Sequence, residues 1–265
     1  VAEQSHADAW ALLQRGFAHH GETAQPLINA AVCLADWPPA ADARPATVDR
    51  DRMLEQLNDN GQAMLSGQRW LWQHRPEDMH GNSTRMLQAS LQCVDDTLAN
   101  TGMVLEFGVF HGRSIRIIAE TLDHADSKTT VHGFDSFTGL PEAWKAEPAG
   151  SYSTQGRLPE VPDNVRLYAG WFNESLHAFL TDHADPVALV HIDCDLYSST
   201  RDVLQRLSGR FHAGSIIVFD ELIAYPGYEQ HELRAFKEFL QGWPGSFRVI
   251  GASFMGRAVA VQLYQ

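Results

Sequence analysis

The sequence predicts an α/β fold with a mostly parallel sheet, and two patterns carry that prediction. From residue 103 onward, short apolar segments typical of buried strands alternate with amphipathic segments typical of helices. Only a few residues near position 255 separate the last two apolar segments, so we expect them to pair as an antiparallel hairpin at one edge. We therefore predict a seven-stranded sheet in which six strands are parallel and the terminal strand is antiparallel.

The individual elements follow from the period of the apolar residues and from capping and turn residues. The predicted strands lie near residues 103–107, 130–135, 165–168, 187–193, 214–219, 246–250 and 257–263. The predicted helices between them lie near residues 113–123, 173–181, 199–208 and 230–241.

Further helices are predicted before the first strand. One spans residues 49–74, and Ser83 is the predicted N-cap of another that ends at Gly102. We expect residues 1–82 to form a helical N-terminal extension, whose apolar faces cover the sheet as part of the core, cap the site or form an oligomer interface. Residues 83–265 are expected to form the main α/β domain.

Composition narrows the class of partner. The net charge of −13 argues against nucleic acid and against an anionic membrane, because both need clustered lysine and arginine. The chain has no apolar run long enough for a membrane span, and its first residues lack a secretory signal pattern. Cys33, Cys93 and Cys194 show no metal-binding spacing, which suits a reducing compartment. We therefore expect a cytoplasmic protein that acts on a small molecule.

Residues 104–114, VLEFGVFHGRS, predict a buried strand, a tight turn and the start of a helix. Such a unit binds nucleotide-like ligands at the strand end and the helix N-terminus. Phe110 stands where a dinucleotide-binding loop has its second glycine, which disfavours a pyrophosphate close to the backbone. A ligand without phosphate, held partly by Glu106, fits better, and S-adenosylmethionine (SAM) is such a ligand. We expect Gly108 to allow the turn and a close ligand, and Gly112 to allow close packing. A plain turn without a ligand is the alternative.

Two later strands end in residues that suit the same ligand. Asp135 ends the second strand, where an acid accepts hydrogen bonds from ribose hydroxyls, and a simple turn-forming aspartate is the alternative. Gly170 and Trp171 follow the third strand, and Trp171 is expected either to stack on a purine or to belong to the core. Residues 142–163 lack a period and are predicted to form a lid over the ligand, or else a wrapped structural loop.

Four carboxylates follow the next two strands. Asp193 and Asp195 stand at the end of the fourth strand, and Asp220 and Glu221 at the end of the fifth. If these strands are neighbours, the four acids meet at one sheet edge and repel one another unless a cation neutralises them. Oxygen-only ligands select a hard divalent ion, Mg²⁺ first, with Mn²⁺ or Ca²⁺ as alternatives. Helix capping by Asp195 is the competing explanation.

A cation at this edge would have a task in methyl transfer to oxygen. Coordination lowers the pKa of a hydroxyl and fixes its direction. A free carboxylate or histidine can then remove the proton. Two adjacent oxygens, as in a catechol or a sugar diol, can chelate the ion.

Four segments together resemble the macrocin O-methyltransferase family. They read LEFGV at 105–109, GFDSFTGLP at 133–141, HIDCDLYSST at 191–200 and VFDE at 218–221. The resemblance covers about residues 83–265 and implies the Rossmann-like fold of SAM-dependent methyltransferases. It also implies a metal-dependent reaction on sugar hydroxyls of macrolides and related natural products.

The resemblance implies roles for the matching residues. Asp195 and Asp193 are the catalytic residues, with Asp195 as the base, and the metal ligands are Asp193, Asp220 and Glu221. The family often has two aspartates where this chain has Asp220 and Glu221, and glutamate is longer by one methylene. The residues expected to contact SAM are Glu106, Gly108, Phe110, Gly112, Ser114, Asp135, Ser136, Gly170, Trp171 and Asp193.

The sequence thus predicts a SAM- and Mg²⁺-dependent O-methyltransferase of natural product biosynthesis, acting on a sugar, polyhydroxylated or catechol-like hydroxyl. A metal-dependent hydrolase, which would not bind SAM, is one alternative. A non-catalytic SAM-binding or partner-docking protein, which would tolerate Asp193→Asn, is another. The N-terminal helices favour a homodimer, and no nucleic-acid or membrane partner is expected. For His231 and Glu232 we predict a solvated helix start, with substrate contact as the alternative.

Overall fold

The structure is a computed structural model that describes residues 58–253 and 256–265. The predictions made for the first 57 residues lie outside these ranges, as does the start of the helix predicted over residues 49–74. Within the described ranges, no helix has the length and apolar character needed to cross a membrane.

The described strands form one eight-stranded sheet. Their bounds are β1 (Met79–His80), β2 (Met103–Phe107), β3 (Val131–Asp135), β4 (Val165–Ala169), β5 (Val187–Ile192), β6 (Ile216–Phe219), β7 (Ser246–Ser253) and β8 (Val259–Tyr264). Their order across the sheet is β1-β7-β8-β6-β5-β2-β3-β4. β8 is antiparallel to its neighbours β6 and β7, and the other pairs are parallel. This confirms the predicted fold class and hairpin.

The described helices largely follow the predicted alternation. Their bounds are α1 (Asp59–His74), α2 (Ser83–Gln92), α3 (Asp96–Thr101), α4 (Arg113–His124), α5 (Phe172–Asp182), α6 (Tyr197–Leu207) and α7 (Glu232–Gly242). α4 shows why they form: Ile115, Ile118 and Ala119 recur at helical spacing, and all three are fully buried.

Two elements differ from the prediction. β1 is an additional strand that pairs in parallel with β7. It has only two residues, too few to show the alternation of apolar and polar residues that predicts a strand. The helix predicted from residue 83 to residue 102 is two helices, because Asp95 caps α3 by accepting a hydrogen bond from the Thr97 amide. The cap of α2 is Asn82 and not Ser83, since the Asn82 side chain accepts from the Arg85 amide at 2.9 Å.

The central strands end level with one another. The register pairs Phe107 with Phe134 and with Ile192, and pairs Ile192 with Phe219. β2, β5 and β6 are buried along their whole length, as expected for parallel strands covered on both faces. The loops that follow β2, β3, β5 and β6 therefore meet at one edge of the sheet, which is where ligands bind in open α/β folds.

Candidate functional site

A cavity of 780 Å³ lies at this edge of the sheet. Its wall comes from the loops after β2, β3, β5 and β6, from the long loop before β4, from the start of α5 and from one face of α6. The volume lies within the range of small-molecule sites. The predicted residues that line it are Gly108, Phe110, Asp135, Ser136, Trp171, Asp193, Asp195 and Glu221. The others, Glu106, Gly112, Ser114, Gly170 and Asp220, are not part of the lining.

The turn after β2 needs glycine at two positions. Gly108 has a φ of +93°, and a Cβ there would clash with the carbonyl oxygen of Asp193. Gly112 has a φ of +77°, and a Cβ there would lie 3.2 Å from Cγ of Pro159. The backbone that Gly108 approaches closely is therefore that of Asp193, at the end of the neighbouring strand β5. The predicted contact of Gly108 with a ligand stays a prediction.

Asp135 joins two loops of the cavity wall. Its Oδ2 accepts a hydrogen bond from the Phe110 amide at 2.8 Å, and its Oδ1 accepts one from the Phe137 amide at 2.7 Å. The residue is therefore the turn-forming aspartate of the alternative interpretation. A carboxylate oxygen has two lone pairs, so both oxygens retain capacity for a ribose hydroxyl.

Three large aromatic side chains line the cavity and remain exposed to it. Trp171 is 41% exposed, Tyr152 44% and Phe110 36%, whereas side chains of this size are usually well buried. Phe110 and Tyr152 meet edge to face, with ring centroids 5.9 Å apart. Trp171 consequently does not belong to the core, and its ring is available for stacking on a purine.

The long loop, residues 142–163, is fastened to the rest of the wall and also lines the cavity. Leu140 donates its amide hydrogen to the Ser151 carbonyl and accepts from the Gly150 amide, both at 2.9 Å. Thr154 and Gly156 donate their amide hydrogens to the Phe137 carbonyl. These bonds fix the base of the loop to the residues that precede it, as expected for the alternative of a wrapped structural loop. That the loop acts as a lid over the ligand stays a prediction.

Glu106 lies beneath the cavity. It pairs in register with His191 of β5, and its Oε2 is 3.0 Å from Nδ1 of His191. Both side chains are buried. Burial disfavours charge on His191, but the Glu106 hydrogen bond and the charges of Glu106, Asp193 and Asp220 raise its pKa to about 9. His191 is therefore protonated at neutral pH and is held by Glu106 beneath the cavity.

The four predicted carboxylates do come together after β5 and β6, and we call Asp193, Asp195, Asp220 and Glu221 the acidic edge. Burial and repulsion from Asp220 raise the pKa of Asp193 well above its usual range. Burial and the charge of Glu221 raise the pKa of Asp195 to about 7. Leu196 precedes α6 as its cap, and it provides no side-chain hydrogen bond, so Asp195 does not have the alternative helix-capping role.

Glu221 already has two cationic partners. Its Oε2 lies 2.8 Å from Nζ of Lys145, and its Oε1 lies 2.6 Å from a guanidinium nitrogen of Arg257. Within residues 58–253 and 256–265, no three acidic, histidine or cysteine side chains are arranged to hold one metal ion. Of the three predicted ligands, Asp193 and Asp220 repel each other and would be the two left to hold a hard cation, because Glu221 as placed is already paired with Lys145 and Arg257.

Glu232 is a fifth acid next to the acidic edge. It begins α7, is fully buried, and neither of its carboxyl oxygens has a hydrogen-bond partner among the described residues. Burial, followed by repulsion from Asp195, Asp193, Asp220 and Glu221, raises its pKa well above 4.5. The predicted solvated helix start is therefore wrong for Glu232. Position in the sequence gave no signal for this, because the first turn of a helix is usually exposed.

We expect Glu232→Gln to stabilise the fold, increasingly so as the pH rises. Above pH 4.5 the unfolded Glu232 is ionised while the folded one keeps its proton, so wild-type stability falls by about 1.4 kcal/mol per pH unit up to the folded pKa. Glutamine does not titrate and avoids this loss. Urea unfolding between pH 4.5 and pH 8 measures the difference, with exposed Glu120→Gln as control. A difference independent of pH would contradict the burial of an acid at this position.

Comparison with known sequences finds methyltransferases similar to this chain. Residues 105–222 match a sequence family described as a methyltransferase domain. A tetracenomycin-C 4′-O-methyltransferase acting on a dimethoxyrhamnosyl derivative, from Streptomyces olivaceus, is 31% identical over 49% of this chain and 57% of its own length. The demethyldecarbamoylnovobiocin O-methyltransferase of Streptomyces niveus is 26% identical over 54% of this chain and 62% of its own. The chain thus spans about three fifths of these relatives.

Solved structures share the fold. The calicheamicin methyltransferase CalS11 superimposes with a TM-score of 0.56, 20% identity and coverage of 94% of this chain and 95% of its own. The O-methyltransferase NovP gives a TM-score of 0.50, with 23% identity, over 68% of this chain and 80% of its own. The sheet order, the strand-end cavity and these superpositions identify the fold of this chain as the Rossmann-like methyltransferase fold.

Proposed function

We propose that the protein is a SAM-dependent O-methyltransferase that methylates a hydroxyl of a natural product. The observation that carries this proposal is one cavity with two chemically different walls. The glycine turn, Asp135 and exposed aromatic rings form one wall, and three acids of the acidic edge, Asp193, Asp195 and Glu221, form the other. The match of residues 105–222 to a methyltransferase domain supports it, because this range runs from the end of β2 through β6 and contains both walls.

The first wall suits the cofactor. Asp135 has capacity for the ribose hydroxyls, and the Trp171 ring offers a face for the adenine. Asp135 ends β3 and accepts a hydrogen bond from the Phe110 amide in the turn between β2 and α4, and Trp171 follows β4 at the same edge of the sheet. Binding there would hold the methyl group in line with an acceptor, which is the main requirement of the transfer.

The second wall suits the acceptor hydroxyl. The pKa of Asp195, about 7, is near the value that serves a general base at neutral pH. A hard divalent cation such as Mg²⁺, held by Asp193 and Asp220, would lower the pKa of the acceptor hydroxyl when bound. Asp195 lines the cavity beside these residues and would accept the hydroxyl proton during transfer.

For the acceptor we propose a sugar hydroxyl of a glycosylated natural product. The two curated relatives are named for O-methylation of a rhamnosyl tetracenomycin and of demethyldecarbamoylnovobiocin. The resemblance to the macrocin O-methyltransferase family favours the same acceptor class. The cavity of 780 Å³ has room for a sugar next to the cofactor.

Transfer of a trideuterated methyl group from labelled SAM tests the proposal. The acceptor panel contains deoxysugar glycosides with free adjacent hydroxyls, the same glycosides with these hydroxyls blocked, and catechols. We expect a labelled ether only on free sugar hydroxyls, and loss of transfer in EDTA that Mg²⁺ restores. Transfer only to catechols, or to nitrogen or carbon, would overturn the acceptor class, and transfer unaffected by EDTA would overturn the cation.

A further inference from the structure

Tyr152, on the long loop, lies close to both walls of the cavity. Its ring meets the Phe110 ring of the turn after β2 edge to face, with centroids 5.9 Å apart. Partial burial raises the pKa of its phenol, and the charges of Glu147 and of three acids of the acidic edge raise it further. The side chain therefore contacts the cofactor wall and is near the acids that face the acceptor.

The backbone of Tyr152 is held on both sides. Two residues before it, Gly150 donates its amide hydrogen to the Leu140 carbonyl at 2.9 Å. Two residues after it, Thr154 donates its amide hydrogen to the Phe137 carbonyl at 3.2 Å. The side chain is nevertheless exposed to the cavity. An exposed ring on a fixed backbone binds a ligand with little further loss of conformational entropy.

The backbone conformation of Tyr152 is unusual for an aromatic residue. Its φ is +62° and that of its neighbour Phe110 is +48°, both in the left-handed region that favours glycine. Neither ring offsets this strain by entering the core, since both remain exposed and line the cavity. Strain of this kind is typical of binding sites, where it presents a side chain to a ligand.

The chemistry of the Tyr152 side chain matches that of a sugar. A tyrosine offers an apolar ring face and one hydroxyl that can donate a hydrogen bond. A pyranose offers an apolar face of C–H groups and, at its rim, oxygens that accept hydrogen bonds. The raised pKa keeps the Tyr152 phenol protonated, and its hydroxyl has no hydrogen-bond partner among the described residues, so its proton is available to a ligand.

We infer that Tyr152 is a specificity-determining residue that binds the acceptor sugar, with its ring on the C–H face and its hydroxyl donating to a sugar oxygen. This inference rests on the proposed function of sugar O-methylation, and it requires no metal ion. The same contacts are present in the bound substrate and in the transition state. They should therefore lower the KM for the acceptor and leave kcat nearly unchanged.

Steady-state transfer of the labelled methyl group to methyl α-L-rhamnoside and to phenyl α-L-rhamnoside tests the inference. Tyr152→Phe keeps the ring and should raise the acceptor KM about fivefold, as expected for one lost neutral hydrogen bond. Tyr152→Asn also removes the ring, and the KM for both rhamnosides should rise about thirtyfold. Asparagine tolerates the left-handed conformation, so this variant should fold.

Two further measurements separate a contact with the acceptor from a structural role. Calorimetry should give the same affinity for S-adenosylhomocysteine (SAH) in the wild type and in both Tyr152 variants, and kcat should stay within about twofold of the wild-type value. Tyr264→Phe is the matched control, because Tyr264 is exposed at the end of β8 and does not line the cavity. It should leave the KM unchanged.

Equal acceptor KM in the wild type and Tyr152→Asn would overturn the inference. A rise confined to the phenyl glycoside would also overturn it, because the ring would then contact the aglycone, and so would weaker SAH binding, which would indicate a cofactor contact. Wild-type protein that binds SAH but methylates neither rhamnoside would overturn the sugar acceptor together with this inference. Wild-type protein that does not bind SAH would overturn the methyltransferase proposal itself.

Discussion

Asp193→Asn is expected to slow methyl transfer by about a thousandfold, because it removes a charged ligand from the proposed cation and several kcal/mol of transition-state stabilisation with it. Its affinity for SAH should stay within a few-fold of wild type. The substitution keeps the backbone hydrogen bond that the Asp193 amide donates to the Phe107 carbonyl at 2.9 Å, so the end of β5 should remain in place. Labelled methyl transfer and SAH calorimetry on the same preparation measure the two effects.

Asp202→Asn is the matched control for Asp193→Asn. Asp202 also lines the cavity, but it lies on α6 and pairs with Arg206 at 3.6 Å, away from the ends of β5 and β6. We expect it to retain transfer to within tenfold of the wild-type rate, a range of about 1.4 kcal/mol. Asp193→Asn that retains full activity would contradict the role of the acidic edge. Loss of SAH binding together with activity would contradict the division of the cavity into cofactor and acceptor walls.

His191→Leu should destabilise the fold by about 3–5 kcal/mol, because it leaves Glu106 buried without its partner. Burial raises the pKa of the Glu106 carboxyl, and the His191 hydrogen bond opposes that rise. Urea unfolding at pH 7 measures the loss. The double variant Glu106→Leu with His191→Leu should recover most of it, since no unpaired charge remains in the core. Exposed His177→Leu on α5 is the control.

The effect of His191 should also depend on pH. Its folded pKa of about 9 lies above the usual 6.5, so its stabilisation is fully present below pH 6.5 and is lost as the pH rises through 9. The unfolding free energy of wild type minus that of the double variant Glu106→Leu with His191→Leu, in which neither group titrates, should therefore be smaller at about pH 10 than at about pH 6. Urea unfolding at the two pH values measures it. A difference that grows with pH would contradict a protonated His191 in the native state.

Much of the fold was predictable because its signals are local. Buried strands and amphipathic helices each produce a characteristic spacing of apolar residues within a short segment. The bounds of β2 to β8 and α4 to α7 were therefore predicted closely. The break before Asp95 was missed because one hydrogen bond from the Thr97 amide decides it. β1 was missed because two residues contain no period and depend on β7 for their conformation.

The acidic edge was predictable for a different reason. Acids that directly follow neighbouring parallel strands must meet, whatever their side chains do next. Their partners were not predictable, because Lys145 and Arg257 reach Glu221 from 76 and 36 residues away. The burial of Glu232 and the pairing of Glu106 with His191 likewise depend on packing and strand register, which a single sequence does not specify.

Calorimetric titration with SAH, first in Mg²⁺ and then in EDTA, tests whether the cavity binds the cofactor of a methyltransferase. We expect saturable one-to-one binding in both buffers, because the proposed ribose and adenine contacts, Asp135 and Trp171, are not acids of the acidic edge. Absence of binding in both buffers, by protein that circular dichroism shows to be folded, would contradict the methyltransferase proposal. A metal-dependent hydrolase on the same fold would then be the function to test.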